Sequence, residues 1–296
     1  MQIGGVTIHI ESGAGDICSL PDIAYKEFEE RAAGAEGGAA HINVVLEPGI
    51  NPAPTGMDRI FDSGSSWSMF FDGENRFVSM KPAEFEEPIW LAKIGKDYRD
   101  VNVYCSDVLL EIYGGLQTIS NPVRYPLDQI LLMYFLSMRN GALIHAAGVE
   151  VKGKGLIFPG KSGAGKSTLC HLLSGEGDIR LLSDDRVIVR KEEGRFLAYG
   201  TPWPGEAGIA SNKRIPLHGL MFLKKGTQNS IKRISRSDTL EKLMPVTSIP
   251  WFDAPVMEEI LELCGTLSSA ISAYELEFKP DAGAADVISR FMQDTA

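Results

Sequence analysis

Residues 160–167 read Gly-Lys-Ser-Gly-Ala-Gly-Lys-Ser, a full match to the pattern G-x-x-x-x-G-K-[ST]. The chemistry of such a run is the binding of phosphate. Glycines let successive backbone N–H groups curl round an anion without Cβ clashes, and the helix that follows aims its positive end at the same point. A side chain at Lys166 reaches β- and γ-phosphates as a point charge, and the Ser167 hydroxyl is placed to ligate Mg²⁺. Gly160, Lys161, Ser162, Gly163, Ala164, Gly165, Lys166, Ser167 and Thr168 are therefore the expected nucleotide-binding residues. A chain of average composition and this length matches the pattern on the order of 1 time in 100.

The motif needs a strand before it and a helix after it, and the flanking residues predict both. Leu156–Phe158 reads as a short strand entering the loop, and Lys166–Leu173 as the helix leaving it. Upstream, Leu127, Ile130, Leu131, Tyr134, Phe135 and Met138 recur at helical spacing between Pro126 and Gly141, which predicts an amphipathic helix followed by a strand over Ala142–Val151. Downstream, strands are expected at 180–182, 187–190, 196–199, 220–223 and 274–278, and helices near 238–244, 255–271 and 283–292. In the helix at 255–271 the expected core face is Val256, Met257, Ile260, Leu261, Cys264 and Leu267. Residues 1 to about 120 show short strand-like runs at 6–10, 42–46, 68–71, 76–80 and 101–104, one helical run at 21–34, and turn clusters at 51–54 and 72–75. The Asp72-Gly73 turn predicts a hairpin between the third and fourth of these strands. No catalytic constellation is visible in that half. The expected division is 1–121, a strand-rich region, and 122–296, a nucleotide-binding domain with a mixed α/β sheet.

Composition sets limits on what such a domain serves. The chain has 296 residues, 44% of them hydrophobic and 23% charged, with a formal charge of −10. These are globular proportions, and the negative charge disfavours a nucleic-acid partner or adhesion to an anionic membrane. The longest apolar run, Ile130 to Leu136, is far short of a membrane span, and the N-terminal residues do not read as a signal peptide. Cys18, Cys105, Cys170 and Cys264 form no C-x-x-C pair, so neither a zinc site nor a disulfide framework is expected. A cytoplasmic location follows as the expectation.

Several classes of phosphate-loop protein fit poorly. A regulatory GTPase needs Asn-Lys-x-Asp, and Asn212-Lys213-Arg214-Ile215 lacks the aspartate. A motor or transport ATPase places its acidic pair after a long buried strand, whereas Asp184-Asp185 follows only Leu181-Leu182-Ser183. An arginine-rich lid of the nucleotide-kinase type is missing immediately downstream. The order Ile144-His145-Ala146-Ala147-Gly148, the glycine loop, then Ser183-Asp184-Asp185 resembles the catalytic core of HPr serine kinase/phosphorylase, itself similar to phosphoenolpyruvate carboxykinase. The resemblance is specific over about 140–190. The whole chain looks more like the HPr-kinase-related proteins of peptide-modification cassettes.

That resemblance implies an α/β P-loop kinase domain with a mixed sheet and ATP as phosphoryl donor. The acceptor it implies is a serine of a peptide or protein, and it implies a homo-oligomer by analogy. Catalytic roles fall on Asp185, His145 and Lys166. Asp185 would take the proton of the attacking hydroxyl and Asp184 would hold the metal with Ser167, the opposite assignment of the two aspartates being the alternative. His145 would orient or ionise a carboxylate. His9, His41, His171 and His218 read as structural. The family's Leu-Glu-x-Arg-Gly segment and its later Pro-Gly-Arg-Asn stretch are both missing, which argues against HPr itself as acceptor. In place of the former stands Gly200-Thr201-Pro202-Trp203-Pro204-Gly205-Glu206, where Glu206 is the substitute second metal contact and Trp203 a packing anchor. Seven cations, Lys213, Arg214, Lys224, Lys225, Lys232, Arg233 and Arg236, run without an intervening carboxylate. They suit either phosphate neutralisation, an acidic substrate segment, or a solvated face. Two other functions fit the same core, a kinase of a free small molecule such as serine and a non-catalytic nucleotide-binding regulator.

Overall fold

The computed structural model describes residues 1–13, 16–18, 22–30, 40–49 and 54–294. Two compact units divide the chain, one of residues 1–2, 6–22 and 32–135, the other of 3–5, 23–31 and 136–296. The predicted helix at 21–34 appears as α1 (Ile23–Glu30), and residues 21 and 31–34 lie outside the described residues, as do 51–53 of the predicted turn.

The chain opens with β1 (Gln2–Ile3), β2 (Val6–Ser12) and β3 (Asp16–Cys18), then α1, then β4 (Ala40–Pro48), β5 (Asp58–Asp62), β6 (Trp67–Phe71), β7 (Arg76–Met80), β8 (Trp90–Ile94) and β9 (Asp100–Cys105). In the first unit β2, β4 and β9 pair in parallel, and β9, β8, β7, β6 and β5 continue the same sheet as an antiparallel meander. The β6–β7 hairpin turns at Asp72, whose carboxylate accepts the amides of Glu74 and Asn75. A second, three-stranded sheet joins β10 (Leu110–Tyr113) to β11 (Leu116–Ser120) and β3. Strand β4 buries Ile42, Val44 and Leu46 on one face, a period of two that is legible in the sequence. Strand β8 buries four of its five residues and so carries no alternation, which is why its sequence does not announce a strand.

Helix α2 (Leu127–Ser137) forms where expected but is not amphipathic. Leu127, Ile130, Leu131, Leu132, Tyr134, Phe135 and Leu136 are all buried, and Met138, expected on the apolar face, is 55% exposed just beyond the helix. A helix apolar on nearly every side is one that is covered on nearly every side.

The second unit is built on β12 (Gly141–Val151), β13 (Lys154–Pro159), β14 (Ile179–Ser183), β15 (Arg186–Glu192), β16 (Arg195–Tyr199), β17 (Arg214–Lys225), β18 (Ser230–Arg233) and β19 (Ala273–Phe278). Beside α1, this unit holds the helices α3 (Lys166–Leu173), α4 (Arg236–Leu243), α5 (Ala254–Ala270) and α6 (Gly283–Asp294). Two long strands of this eight-stranded sheet change partners along their length. The first half of β12, Gly141–His145, pairs with β15, while Ala146–Val151 pairs with β13 and, from Gly148, with β14. Strand β17 pairs with β16 through 214–216, with β13 through 217–220 and with β19 from Leu220 onward. The close β13–β17 approach is possible because residue 155 is glycine: a Cβ there would lie 2.7 Å from the Pro216 carbonyl. The outcome is a mixed α/β fold, as the sequence pattern implied.

Helices α3 and α6 cover one face of this sheet. Leu169, Cys170 and Leu173 of α3 and Ala285, Ile288 and Met292 of α6 pack with Val149, Phe158, Met221 and Phe278. The helical spacing of these positions is what makes each helix present one apolar stripe to the strands. In α5 the buried stripe is Val256, Ile260, Leu263, Cys264 and Leu267, with Met257 and Leu261 only half-buried; the face is turned slightly from that expected. Cys105, Cys170 and Cys264 are buried thiols, and burial pushes the first two up to about 12. Among the described residues no helix is long and apolar enough to cross a membrane.

Candidate functional site

Strand β13 ends at Pro159 and α3 begins at Lys166, so the glycine-rich run forms the connection between them. Gly163 and Gly165 have φ of 78° and 103°, the left-handed region open to glycine at little cost. Gly165 is the N-cap of α3 and offers no side chain to the first-turn amides, which stay free to meet an anion. A side chain at 165 would also meet a neighbour, since a Cβ there would lie 3.0 Å from Phe278 Cζ.

Three strands bring the remaining groups to this loop. Because β13 and β14 both run antiparallel to β12, their C-terminal ends point the same way, and the N-terminal half of β12 ends at that edge with His145. One stretch of β12 backbone fastens everything together. The Gly160 amide donates to the His145 carbonyl at 3.0 Å, and the Ala146 amide donates to the Asp185 carbonyl at 2.9 Å. Buried Ser183 shapes the acidic turn, its Oγ accepting from the amides of Asp185 and Arg186 at 3.4 and 3.3 Å.

The side chains then separate into two groups. Lys166 is buried, and its Nζ lies 2.8 Å from the Gly160 carbonyl, 3.3 Å from the Lys161 carbonyl and 2.9 Å from His145 Nε2. Burial lowers its ammonium below the usual 10.5, with the Asp185 charge acting in the opposite sense. His145 Nε2 also lies 3.0 Å from Asp185 Oδ1, while Asp185 Oδ2 is 3.6 Å from Arg186 Nε. A single imidazole nitrogen presents either a proton or a lone pair, so the two contacts of Nε2 are alternatives: it donates to Asp185 or accepts from Lys166. The Asp185 carboxyl sits below its ordinary 3.8, first because of the His145 hydrogen bond, against the opposing effect of burial and with help from Arg186.

Asp184, one residue earlier, points elsewhere. It is 1% exposed, and its two oxygens accept three backbone amides: Gly205 at 2.8 Å and Ile209 at 3.2 Å on Oδ1, Ala207 at 2.6 Å on Oδ2. It therefore anchors the loop that carries Glu206. Trp203, earlier in the same loop, is buried and donates its indole N–H to Tyr25 Oη of α1 at 3.1 Å.

A cavity of about 340 Å³ is lined by His145, Ser162, Gly163, Gly165, Lys166, Ser167, Thr168, Asp184, Asp185, Gly205, Glu206 and Lys225. It thus gathers His145, Lys166, Asp184, Asp185, Ser167 and Glu206, spread over 62 positions of sequence. Gly160, Lys161 and Ala164 do not line it, the first two instead giving carbonyls to Lys166. Among the described residues no group of three His, Cys, Asp or Glu side chains is arranged to hold a metal by itself. The oxygen donors present, Ser167, Glu206 and the remaining lone pair of Asp184, suit a hard cation that takes its other ligands from phosphate and water.

Sequence reasoning missed Ser183 and Arg186 as supports of the acidic turn, and did not separate Lys225 from the basic run around it. Lys224 is 3.7 and 3.5 Å from Glu275 and Glu277, and Arg214 is 3.8 Å from Glu192, so those cations are matched by carboxylates of neighbouring strands. Lys225 alone of the seven lines the cavity.

Fold and site together define a mixed α/β unit with a glycine-rich loop, a buried lysine and an imidazole–carboxylate pair at one sheet edge. Residues 126–260 match the family model of the SynChlorMet cassette protein ScmC. Among solved structures the chain is similar to the Hpr(Ser) kinase/phosphatase from Coxiella burnetii, at 14% identity and a TM-score of 0.29, over 51% of this chain and 94% of that one. No curated protein matches.

Proposed function

We propose that this chain is a Mg²⁺- and nucleoside-triphosphate-dependent phosphotransferase acting on a hydroxyl, with a serine of a peptide or protein as acceptor. The observation that carries the reading is that Lys166 and the Asp185–His145 pair open into one cavity beside the glycine loop. Phosphate binding and proton acceptance are the two jobs of a phosphoryl transferase, and here they lie within hydrogen-bond reach of one imidazole. The acceptor class rests on the resemblance to HPr serine kinases and on the cassette description of the matching family model.

The loop amides and Lys166 hold the β- and γ-phosphates and stabilise charge on the transferring group. To do so the Lys166 ammonium exchanges its contacts to the Gly160 carbonyl and His145 for phosphate oxygens. His145 Nε2 is then free to donate to Asp185 alone, which orients the carboxylate and keeps it ionised. Asp185 accepts the proton of the attacking hydroxyl as the new O–P bond forms and the bond from the γ-phosphorus to the β-phosphate oxygen breaks. Ser167 and Glu206, with Asp184 directly or through water, are the residues that would hold the metal. Mg²⁺ held there would neutralise charge on the donor's phosphates.

The test is transfer of label from [γ-³²P]ATP with Mg²⁺ to a serine-containing peptide pool and to free serine, with wild type beside Lys166→Ala and Asp185→Asn. Label on peptide, reduced by at least about 10²-fold in Asp185→Asn while nucleotide still binds, is the expected result. Label on free serine alone moves the acceptor to a small molecule. Tight nucleotide binding with no transfer to either refutes the kinase reading.

A further inference from the structure

Strand β13, which leads into the glycine loop, has β12 on one side and β17 on the other. The proton-accepting pair belongs to the β12 side: His145 lies on β12 itself and Asp185 follows β14, the next strand out. The opposite side ends in Lys225, the last residue of β17, which runs parallel to β13 and so finishes at the same edge. Adjacent strands lie about 4.8 Å apart, so a lysine one strand away from the loop has ample reach to it.

The direction of the side chain follows from register. Lys225 pairs with Phe278 of β19, and the Gly226 amide donates to the Phe278 carbonyl at 3.1 Å. The Phe278 ring lies against Gly165, the cap of α3. Met221 and Leu223, at the two preceding same-face positions, pack into the cluster under α3 and α6. Lys225 therefore stands on the α3 face of the sheet, at the top of the column that supports the glycine loop. Lys224 faces the other way, where Glu275 and Glu277 take its charge. Among the described residues no carboxylate pairs with Lys225.

We propose that Lys225 is a second phosphate-binding cation of this site, contacting the donor's β-phosphate from the side opposite Asp185. The inference rests on the phosphotransferase reading. An acceptor hydroxyl must approach Asp185 on the β12 side, so what reaches Lys225 across the loop is the donor's polyphosphate. In the transfer step the γ-phosphorus–oxygen bond breaks and its electron pair stays on the bridging oxygen of the departing diphosphate. A cation placed there stabilises that charge as it develops. Lys166, at the start of α3, and Lys225, at the end of the neighbouring β17, thus both meet the phosphate chain.

The experiment is calorimetric binding of ATP, ADP and inorganic pyrophosphate, with Mg²⁺, to the full chain as wild type, Lys225→Met, Lys225→Arg and Lys224→Met. Expected is a loss of about tenfold in affinity for all three ligands in Lys225→Met, substantial recovery in Lys225→Arg, and wild-type affinity in Lys224→Met. Thermal unfolding of the variants accompanies the titrations, and an unchanged midpoint is expected for an exposed lysine. Wild-type affinity for pyrophosphate in Lys225→Met overturns the assignment, as does equal weakening in Lys224→Met, which would mark a diffuse field instead of a contact. If wild type binds none of the three ligands, the phosphotransferase reading itself fails and this inference falls with it.

Discussion

Replacing Asp184 with asparagine changes one atom of a buried side chain, and the structure says what that atom does. Oδ1 accepts the amides of Gly205 and Ile209, and Oδ2 that of Ala207 at 2.6 Å. An asparagine that keeps its oxygen toward Gly205 and Ile209 turns an NH₂ group on the Ala207 amide, donor against donor. The flipped rotamer is worse, since it then faces two amides with donors. The better rotamer loses one charge-assisted bond and leaves a buried amide unmatched, a cost of about 2–3 kcal/mol. For a unit of this size that corresponds to a drop of about 5–10 °C in Tm. If the loss is confined to opening of residues 205–209, the amides of Gly205, Ala207 and Ile209 should exchange with solvent about 30- to 150-fold faster. Glu206 rides on this loop, so Mg²⁺-dependent nucleotide affinity should fall as a consequence. Hydrogen exchange resolved at these amides, with thermal unfolding in parallel, is the assay. Unchanged exchange and unchanged Tm, with a selective loss of Mg²⁺-dependent binding, would refute the anchoring role and make Asp184 foremost a metal ligand.

Gly165→Ala should weaken ATP binding at least tenfold, because φ of 103° is costly for alanine and its Cβ would press on Phe278; Phe278→Leu in the same chain should recover part of the loss, measured by titration. The pH profile of kcat/KM follows from two displaced groups. The Asp185 carboxyl lies below 3.8, so its base function is fully present above the ordinary carboxylate range and is lost only as pH falls through that lowered value. Lys166 lies below 10.5, so the alkaline limb begins below that pH as the ammonium loses its proton. In His145→Ala the hydrogen bond that does most to depress Asp185 is gone, and the acid limb should move upward; an acid limb that stays in place would show that His145 does not set the ionisation of Asp185.

The parts of this molecule that sequence alone determined are the local ones. The glycine loop is legible because an anion nest is made by consecutive backbone amides, whose conformations depend on glycines a few positions apart. Helix α3 is legible because Leu169, Cys170 and Leu173 repeat at the spacing of a single turn. Strands β4, β6, β7 and β9 alternate or sit against a turn signal, whereas β8 is buried on both faces and β10 is exposed, so neither carries a period to read. That Asp184 takes the amides of the 205–209 loop while Asp185 pairs with His145 was not legible. Both line the cavity, and which of them takes the imidazole and which the loop amides depends on partners at 145 and 205–209, far away along the chain. The same holds for Lys225, one of seven like charges until β17 is laid between β13 and β19. Strand order, register and face come from burying apolar surface against segments distant in sequence, and those non-local pairings decide which cations and carboxylates share a cavity.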